Sequence, residues 1–283
     1  FNRPLEPTFE WLTEKFGSRP ELIEANRLAL QAGWNYADIT SLFEVSVEVP
    51  PADLPPGTYR NIMGNQALAL GLVAAAKRSD LDLVYCSYPI TPASDILHSL
   101  AGLKHHGVIT YQCEDEIAAV GSAIGASYAG ALGVTGTSGP GLSLKTEAIG
   151  LAMMAEVPLV VVDVQRAGPS TGMPTKPAQS DLLMALFGRH GESPIPVIAA
   201  RTPSECFNAA MEACEVALRH MTPVILLSDG YLANGSEPWL LPDVDSFEQI
   251  ELEWRTDPDG FLAYARDKAT GARPRVRPGT PGL

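Results

Sequence analysis

The sequence predicts an α/β domain built on a doubly wound, mainly parallel sheet and preceded by a helical N-terminal extension. Three observations carry this reading. Between residues 59 and 240, strand-like apolar runs alternate with helical patterns, the mark of βαβ units. The runs are continuous, as in Leu159-Val-Val-Val-Asp-Val164, which suits strands buried on both faces. The unusual polar residues follow the strands directly, where an open parallel sheet gathers its ligands.

Each element has its own warrant. Residues 1–45 are helical in pattern, with Leu12, Phe16, Leu22, Ile23 and Leu28 available for apolar faces. Residues 46–58 read as a Pro-rich linker, because Pro50, Pro51, Pro55, Pro56 and Gly57 sustain neither a helix nor a central strand. Strands are expected at 83–88, 108–112, 133–137, 159–165, 197–200 and 224–228. Helical patterns fill 66–78, 95–103, 115–131, 142–155, 180–187 and 204–219. Past Trp239 the pattern decays into Asp, Glu, Arg, Pro and Gly, so 241–283 reads as an exit linker to a domain not present. The α/β domain itself is expected over 59–240.

Composition narrows the function classes. The 283 residues are 46% hydrophobic and 19% charged, with 33 acidic against 20 basic side chains and a net charge of -13. Nucleic acid and anionic membranes both select clustered Lys and Arg, so neither is an expected partner. No run reaches the ~20 apolar residues of a membrane helix. The start at Phe1 without Met or an apolar leader, and the end in Pro278-Gly-Thr-Pro-Gly-Leu283, lead to the expectation of a cytoplasmic piece of a longer protein. Cys86, Cys113, Cys206 and Cys214 show no CxxC spacing, which favours buried free thiols over a zinc or iron–sulfur site.

Four loops concentrate the polar chemistry: Tyr88-Pro-Ile-Thr-Pro-Ala-Ser94, Gln112-Cys-Glu-Asp-Glu116, Thr137-Ser-Gly-Pro-Gly141 and Arg166-Ala-Gly-Pro-Ser-Thr-Gly-Met-Pro-Thr175. Each residue also has a plainer use. Thr91 could cap the helix near Asp95, and Glu116 could answer a helix dipole. Ser138 and Gly139 could serve a tight turn, and Arg166 a surface ion pair. Familiar phosphate and nucleophile patterns fail: Gly139-Pro-Gly141 is followed by Leu144 where GxGxxG needs glycine, and no GxxxxGK[ST] occurs. Asp229-Gly230 with Asn234 is too short for a diphosphate–magnesium motif.

Taken together and in this order, the four loops resemble the α-subunit pyrimidine-binding domain of 2-oxoacid:ferredoxin oxidoreductases, from about Gly64 to Trp239. Arg166 to Thr175, with Gln179 and Asp181 beyond, is most similar to the 2-oxoglutarate branch, and residues 1–45 resemble the final helices of a fused γ domain. The resemblance implies a thiamin diphosphate enzyme that oxidatively decarboxylates a 2-oxoacid, here 2-oxoglutarate to succinyl-CoA, passing electrons to ferredoxin. It implies a β subunit holding Mg²⁺ and a [4Fe-4S] cluster, and a dimer of αβ units. Glu116 aligns with the glutamate that hydrogen-bonds the pyrimidine N1′ and promotes proton removal from C2; Glu114 is the weaker candidate. Thr91 and Arg166 resemble the residues that bind the substrate carboxylate. Ser170, Thr171 and Thr175 are assigned to the distal carboxylate, and Pro89, Ser138 and Gly139 to the cofactor pocket. Pyruvate, a branched-chain or a broad range of 2-oxoacids is the alternative within the family; outside it stands a non-catalytic α/β module.

Overall fold

A computed structural model describes residues 3–41, 45 and 47–283. The boundary expected between 45 and 46 involves residue 46, which lies outside the described residues. The chain divides into two compact units, Phe1–Pro56 and Gly57–Leu283.

In the first unit, α1 (Glu6–Phe16) and α2 (Pro20–Ile39) each open on a proline in the first turn, where a missing N–H costs nothing. Leu12 is buried between them, whereas Leu28, Trp34, Tyr36 and Ile39 face solvent.

The second unit opens with β1 (Tyr59–Met63), which pairs antiparallel with the late strand β8 (Ser236–Leu240). Between them runs the wound sheet. Its strands are β2 (Leu83–Ser87), β3 (Val108–Gln112), β4 (Leu132–Thr137), β5 (Leu159–Gln165), β6 (Val197–Ala199) and β7 (Pro223–Asp229). They lie in the order β3-β2-β4-β5-β7-β6, and every pairing is parallel. The helices are α3 (Gly64–Ser79), α4 (Ser94–Ala101), α5 (Glu116–Tyr128), α6 (Gly139–Met154), α7 (Leu182–Phe187), α8 (Cys206–His220) and α9 (Gly230–Asn234).

Two apolar layers cover the sheet. Val160, Val162 and Val164 of β5 face α3, α4 and α8, while Leu159 and Val161 face α5 and α6. This alternation is the period-2 geometry of a strand, hidden in a sequence where both faces are apolar. Gly71 lets α3 and α8 approach closely: a Cβ there would lie 2.3 Å from the Phe207 carbonyl oxygen. The four cysteines are buried free thiols.

Residues 241–283 contain no α-helix and lie against the wound sheet's unit. Ile250 enters the core, 2% exposed. Three alternate arginines then reach the C-terminal turns of three helices. Arg273 Nη2 donates to the carbonyls of Ala155 (3.2 Å) and Glu156 (2.8 Å) after α6. Arg275 Nη2 donates to Leu218 O in the last turn of α8, and burial brings its guanidinium down to about 10. Arg277 packs over the Trp254 ring at 4.4 Å and against Gly130, just past α5. Cations at helix C-termini meet exposed carbonyls and the negative end of the dipole.

Candidate functional site

The four polar loops leave the carboxyl ends of β2, β3, β4 and β5, which are neighbours in the sheet. The chain reverses its direction across the sheet between β2 and β4, and a crevice opens at such a switch point.

On one side of the crevice lies Glu116. Asp115 takes the N-cap of α5, its Oδ1 accepting from Ala118 N at 2.8 Å, so Glu116 is not needed as a cap. The main-chain oxygen of Glu116 accepts from Lys145 Nζ at 2.7 Å. Lys145 is fully buried, donates also to Thr135 Oγ1 at 3.3 Å and stands 5.0 Å over the Tyr88 ring. The Tyr88 hydroxyl pairs with Thr137 Oγ1 at 2.8 Å and rests against the Glu116 carboxyl. Burial brings the Lys145 ammonium down to about 8, with the Glu116 charge opposing. Burial likewise pushes the Tyr88 phenol above its ordinary range; the Thr137 bond opposes that and the Glu116 charge adds to it. Gly141 makes the packing possible, since a Cβ there would lie 2.2 Å from both Tyr88 Oη and Thr137 Oγ1.

Arg166 directly follows β5, only 5% exposed. Its Nη1 donates to Thr91 O (2.7 Å) and its Nη2 to Thr171 O (2.6 Å). The guanidinium therefore ties two of the loops together through carbonyls rather than through a carboxylate, and its buried Nε has no partner among the described residues. Thr91 is exposed, joined by a cis peptide to Pro92, and does not cap α4, where Ala93 holds the N-cap position without a side-chain bond. A cleft of about 240 Å³ has Thr91, Ser94, Asp95, Thr175 and Asn234 among its walls. Ser170 is exposed at a left-handed φ of 55°. Pro89 is exposed at the rim. Ser138 is fully buried at the N-cap of α6, its Oγ without a partner among the described residues, and Gly139 opens the helix.

The structure thus joins Thr91, Arg166 and Thr171 directly and places Thr91 with Thr175 on one cleft. It also supplies residues not singled out from the sequence: Tyr88 and Gly141 beside Glu116, Lys145 beneath it, and the buried Asp163. Lys145 had a readable signal, because Leu142, Lys145, Ile149 and Ala152 share the buried face of α6. A lysine at a core-facing helical position is rarely neutral filler.

The fold and crevice define a doubly wound α/β ligand-binding domain with a carboxyl-bearing helix N-terminus at its switch point. The sequence profile described as pyruvate flavodoxin/ferredoxin oxidoreductase, thiamine diphosphate-binding, matches residues 74–275, and the chain belongs to this family. It is 56% identical, over all 283 residues, to the 2-oxoglutarate oxidoreductase subunit KorA of Mycobacterium tuberculosis, covering 43% of that protein. It is 38% identical over 276 residues to the 2-oxoacid:ferredoxin oxidoreductase 1 subunit alpha of Aeropyrum pernix, covering 93% of this chain and 42% of that one. Among solved structures, the 2-oxoglutarate:ferredoxin oxidoreductase from Magnetococcus marinus with 2-oxoglutarate, coenzyme A and succinyl-CoA bound superposes with a TM-score of 0.86. The two are 35% identical, and the match covers 100% of this chain and 48% of the other. The chain thus spans about half the length of these relatives. No helix among the described residues is long and apolar enough to cross a membrane.

Proposed function

We propose that the chain is the pyrimidine-binding α portion of a 2-oxoglutarate:ferredoxin oxidoreductase, which converts 2-oxoglutarate to succinyl-CoA in the cytoplasm. The observation that carries this is the 56% identity along the whole chain to a subunit named for 2-oxoglutarate, joined to a crevice whose residues suit the family's cofactor.

The fit is physical. A pyrimidine ring needs a carboxyl group for its ring nitrogen and a wall that does not intrude. Glu116 offers the first beside Tyr88, and Gly139 and Gly141 let the Asp181 carboxyl and the Tyr88–Thr137 pair pack close against α6, which shapes the second. Ser138 Oγ is a buried polar atom in want of a partner. Thiamin diphosphate, when bound, supplies the carbon nucleophile and the electron sink for decarboxylation.

The chain's own residues then have distinct work. Glu116 holds and moves a proton at the ring nitrogen, and Lys145 and Asp115 fix the turn of backbone that carries it. Arg166 pins the Thr91 and Thr171 loops in one arrangement while keeping N–H donors for the 2-oxoacid carboxylate; charge-assisted bonds of that kind contribute roughly 1.5–3 kcal/mol. Thr91, Ser170, Thr171 and Thr175 complete the polar rim for the two carboxylates, with Pro89 closing the cofactor side. The diphosphate's Mg²⁺ and the [4Fe-4S] cluster belong in this reading to the β subunit; the chain's own four cysteines are buried free thiols, two of them on α8. Two αβ units, ferredoxin and coenzyme A complete the assembly, and residues 1–45 are the end of a fused γ-like domain.

A second reading has one observation in its favour: the Aeropyrum pernix relative is named for 2-oxoacids in general. Ferredoxin- or viologen-linked reduction by the anaerobically purified complex, with coenzyme A and a panel of 2-oxoacids, decides between them. A marked preference for 2-oxoglutarate is expected. Equal turnover of pyruvate would move the specificity to the broad reading, and no turnover with bound cofactor and intact cluster would remove the enzyme reading.

A further inference from the structure

Asp163 lies in the middle of the sheet, 0% exposed, on the face of β5 that meets α6. Its register partners are Thr137 on β4 and Leu227 on β7, and neither brings a charge. Neither carboxyl oxygen of Asp163 receives a hydrogen bond from an N–H or hydroxyl among the described residues. The group packed against it is the carboxyl of Asp181, whose Oδ2 is also buried without such a donor. The Asp181 carboxyl fills the space over Gly139, its oxygens 2.6 and 2.7 Å from where a Cβ would stand.

Two carboxylates facing one another in a dry site cannot both stay ionised, and two acceptors give each other nothing to bond. One must keep a proton and donate it. Burial, with the Asp181 charge beside it, holds the Asp163 carboxyl well above the usual carboxylate range, so Asp163 is the donor. Other ionisable groups nearby bond elsewhere, and the Glu116 carboxyl of α5 rests against the Tyr88 hydroxyl. Lys145 of α6 bonds Glu116 O and Thr135, Arg166 bonds Thr91 and Thr171, and Asp229 accepts from Gln179, Tyr231 and Leu232. Cys206 of α8 bonds Thr202 O, and Tyr231 of α9 points to solvent.

Asp181 is also where the long loop after β5 returns. Its backbone N–H donates to Gln165 Oε1 at 3.0 Å, and Gln165 Nε2 donates to Ser228 O at 3.1 Å. The loop closes on itself through Ala167 N to Lys176 O (2.8 Å) and Met173 N to Ala167 O (2.8 Å). Its departure at Gln165–Arg166 and its return at Asp181 thus meet over β5.

We infer that Asp163 is a positioning residue: its protonated carboxyl latches Asp181 and thereby sets the loop that carries Arg166, Ser170, Thr171 and Thr175. This rests on the reading of that loop as the 2-oxoacid-binding loop. Asparagine at 163 keeps a donor of the same shape, whereas alanine removes it. The test compares the intact complex of wild type, Asp163→Asn and Asp163→Ala by three measurements. Amide hydrogen exchange over 166–181, taken without substrate, is expected to quicken about tenfold in Asp163→Ala and to stay near wild type in Asp163→Asn, the scale of one lost buried hydrogen bond. KM for 2-oxoglutarate should rise by a similar factor in Asp163→Ala, with kcat little changed and with rescue in Asp163→Asn. The infrared difference between wild type and Asp163→Asn at neutral pH should contain the carbonyl stretch of a protonated carboxylic acid. Exchange in Asp163→Asn as fast as in Asp163→Ala, or an absent carboxylic-acid band, would overturn the latch. If Asp163→Ala does not fold, the band and the Asp163→Asn exchange still decide it. If the exchange and infrared results hold while no 2-oxoacid is turned over, the latch stands and the substrate reading falls instead.

Discussion

Asp115 and Glu116 are adjacent carboxylates with separate tasks, and the difference comes from where the helix begins. The one at the N-cap spends an oxygen on Ala118 N, and its neighbour is left to face Tyr88 and Gly141. Glu116→Gln keeps the shape and removes the exchangeable charge, so turnover of the complex should fall by about 10²–10⁴, the range for a positioned acid or base; near-normal C2 proton exchange would refute the role. Lys145 beneath it makes a second prediction. Its folded value of about 8 stands below its ordinary 10.5, so the folded state holds that proton less tightly than the unfolded chain. Stability therefore rises as pH climbs from about 8 toward 10.5 and is lost as pH falls through that window. Lys145→Met removes this linkage, and the advantage of wild type over the variant should widen across the window by on the order of 3 kcal/mol in denaturant unfolding. A constant gap would mean that the ammonium is not buried in the folded protein.

The elements divide cleanly into those the sequence announces and those it conceals. The strands at 108–112 and 159–165 fall on β3 and β5 to the residue, because continuous β-branched runs have few other uses. The ribbon of β1 and β8 was not expected: each strand has five residues, β8 contains Pro238, and the partners lie at opposite ends of the domain. The candidate site was legible as four loops and as charged or hydroxylic side chains within them. What those side chains bond was not, since Arg166 and Lys145 reach main-chain oxygens, which leave no trace in a sequence. Gly141 was visible only as part of a turn, whereas in the fold it is the space that the Tyr88–Thr137 pair occupies. Gly141→Ala should therefore cost about 1–3 kcal/mol, as overpacking does, and weaken thiamin diphosphate binding. Thermal unfolding and a cofactor titration of the complex check both, and an unaltered variant would contradict the packing around Glu116.

At the scale of the α/β unit, its two edges have opposite characters. The carboxyl edge gathers the four polar loops with Thr91, Glu116, Ser138 and Arg166. The amino edge is covered by residues 241–283, which lack the periodicity that would have marked them as packed. Arg275→Ala should lower the melting temperature, at a cost of about 1–3 kcal/mol for a buried carbonyl left without its donor, and leave cofactor binding near normal, because α8 carries none of the site. Arg273 and Arg277 differ in what they hold. Arg273 bonds the carbonyls past the far end of α6 and Arg277 packs against Gly130 past the far end of α5, helices whose near ends present Ser138, Gly139 and Glu116. Those helices are rods about 24 and 20 Å long at 1.5 Å per residue, held at one tip and presenting the candidate site at the other. Loosening an anchor turns each rod into a lever, and a small swing at the tail becomes a misplaced carboxyl at the crevice, a whole domain's width from the severed contact.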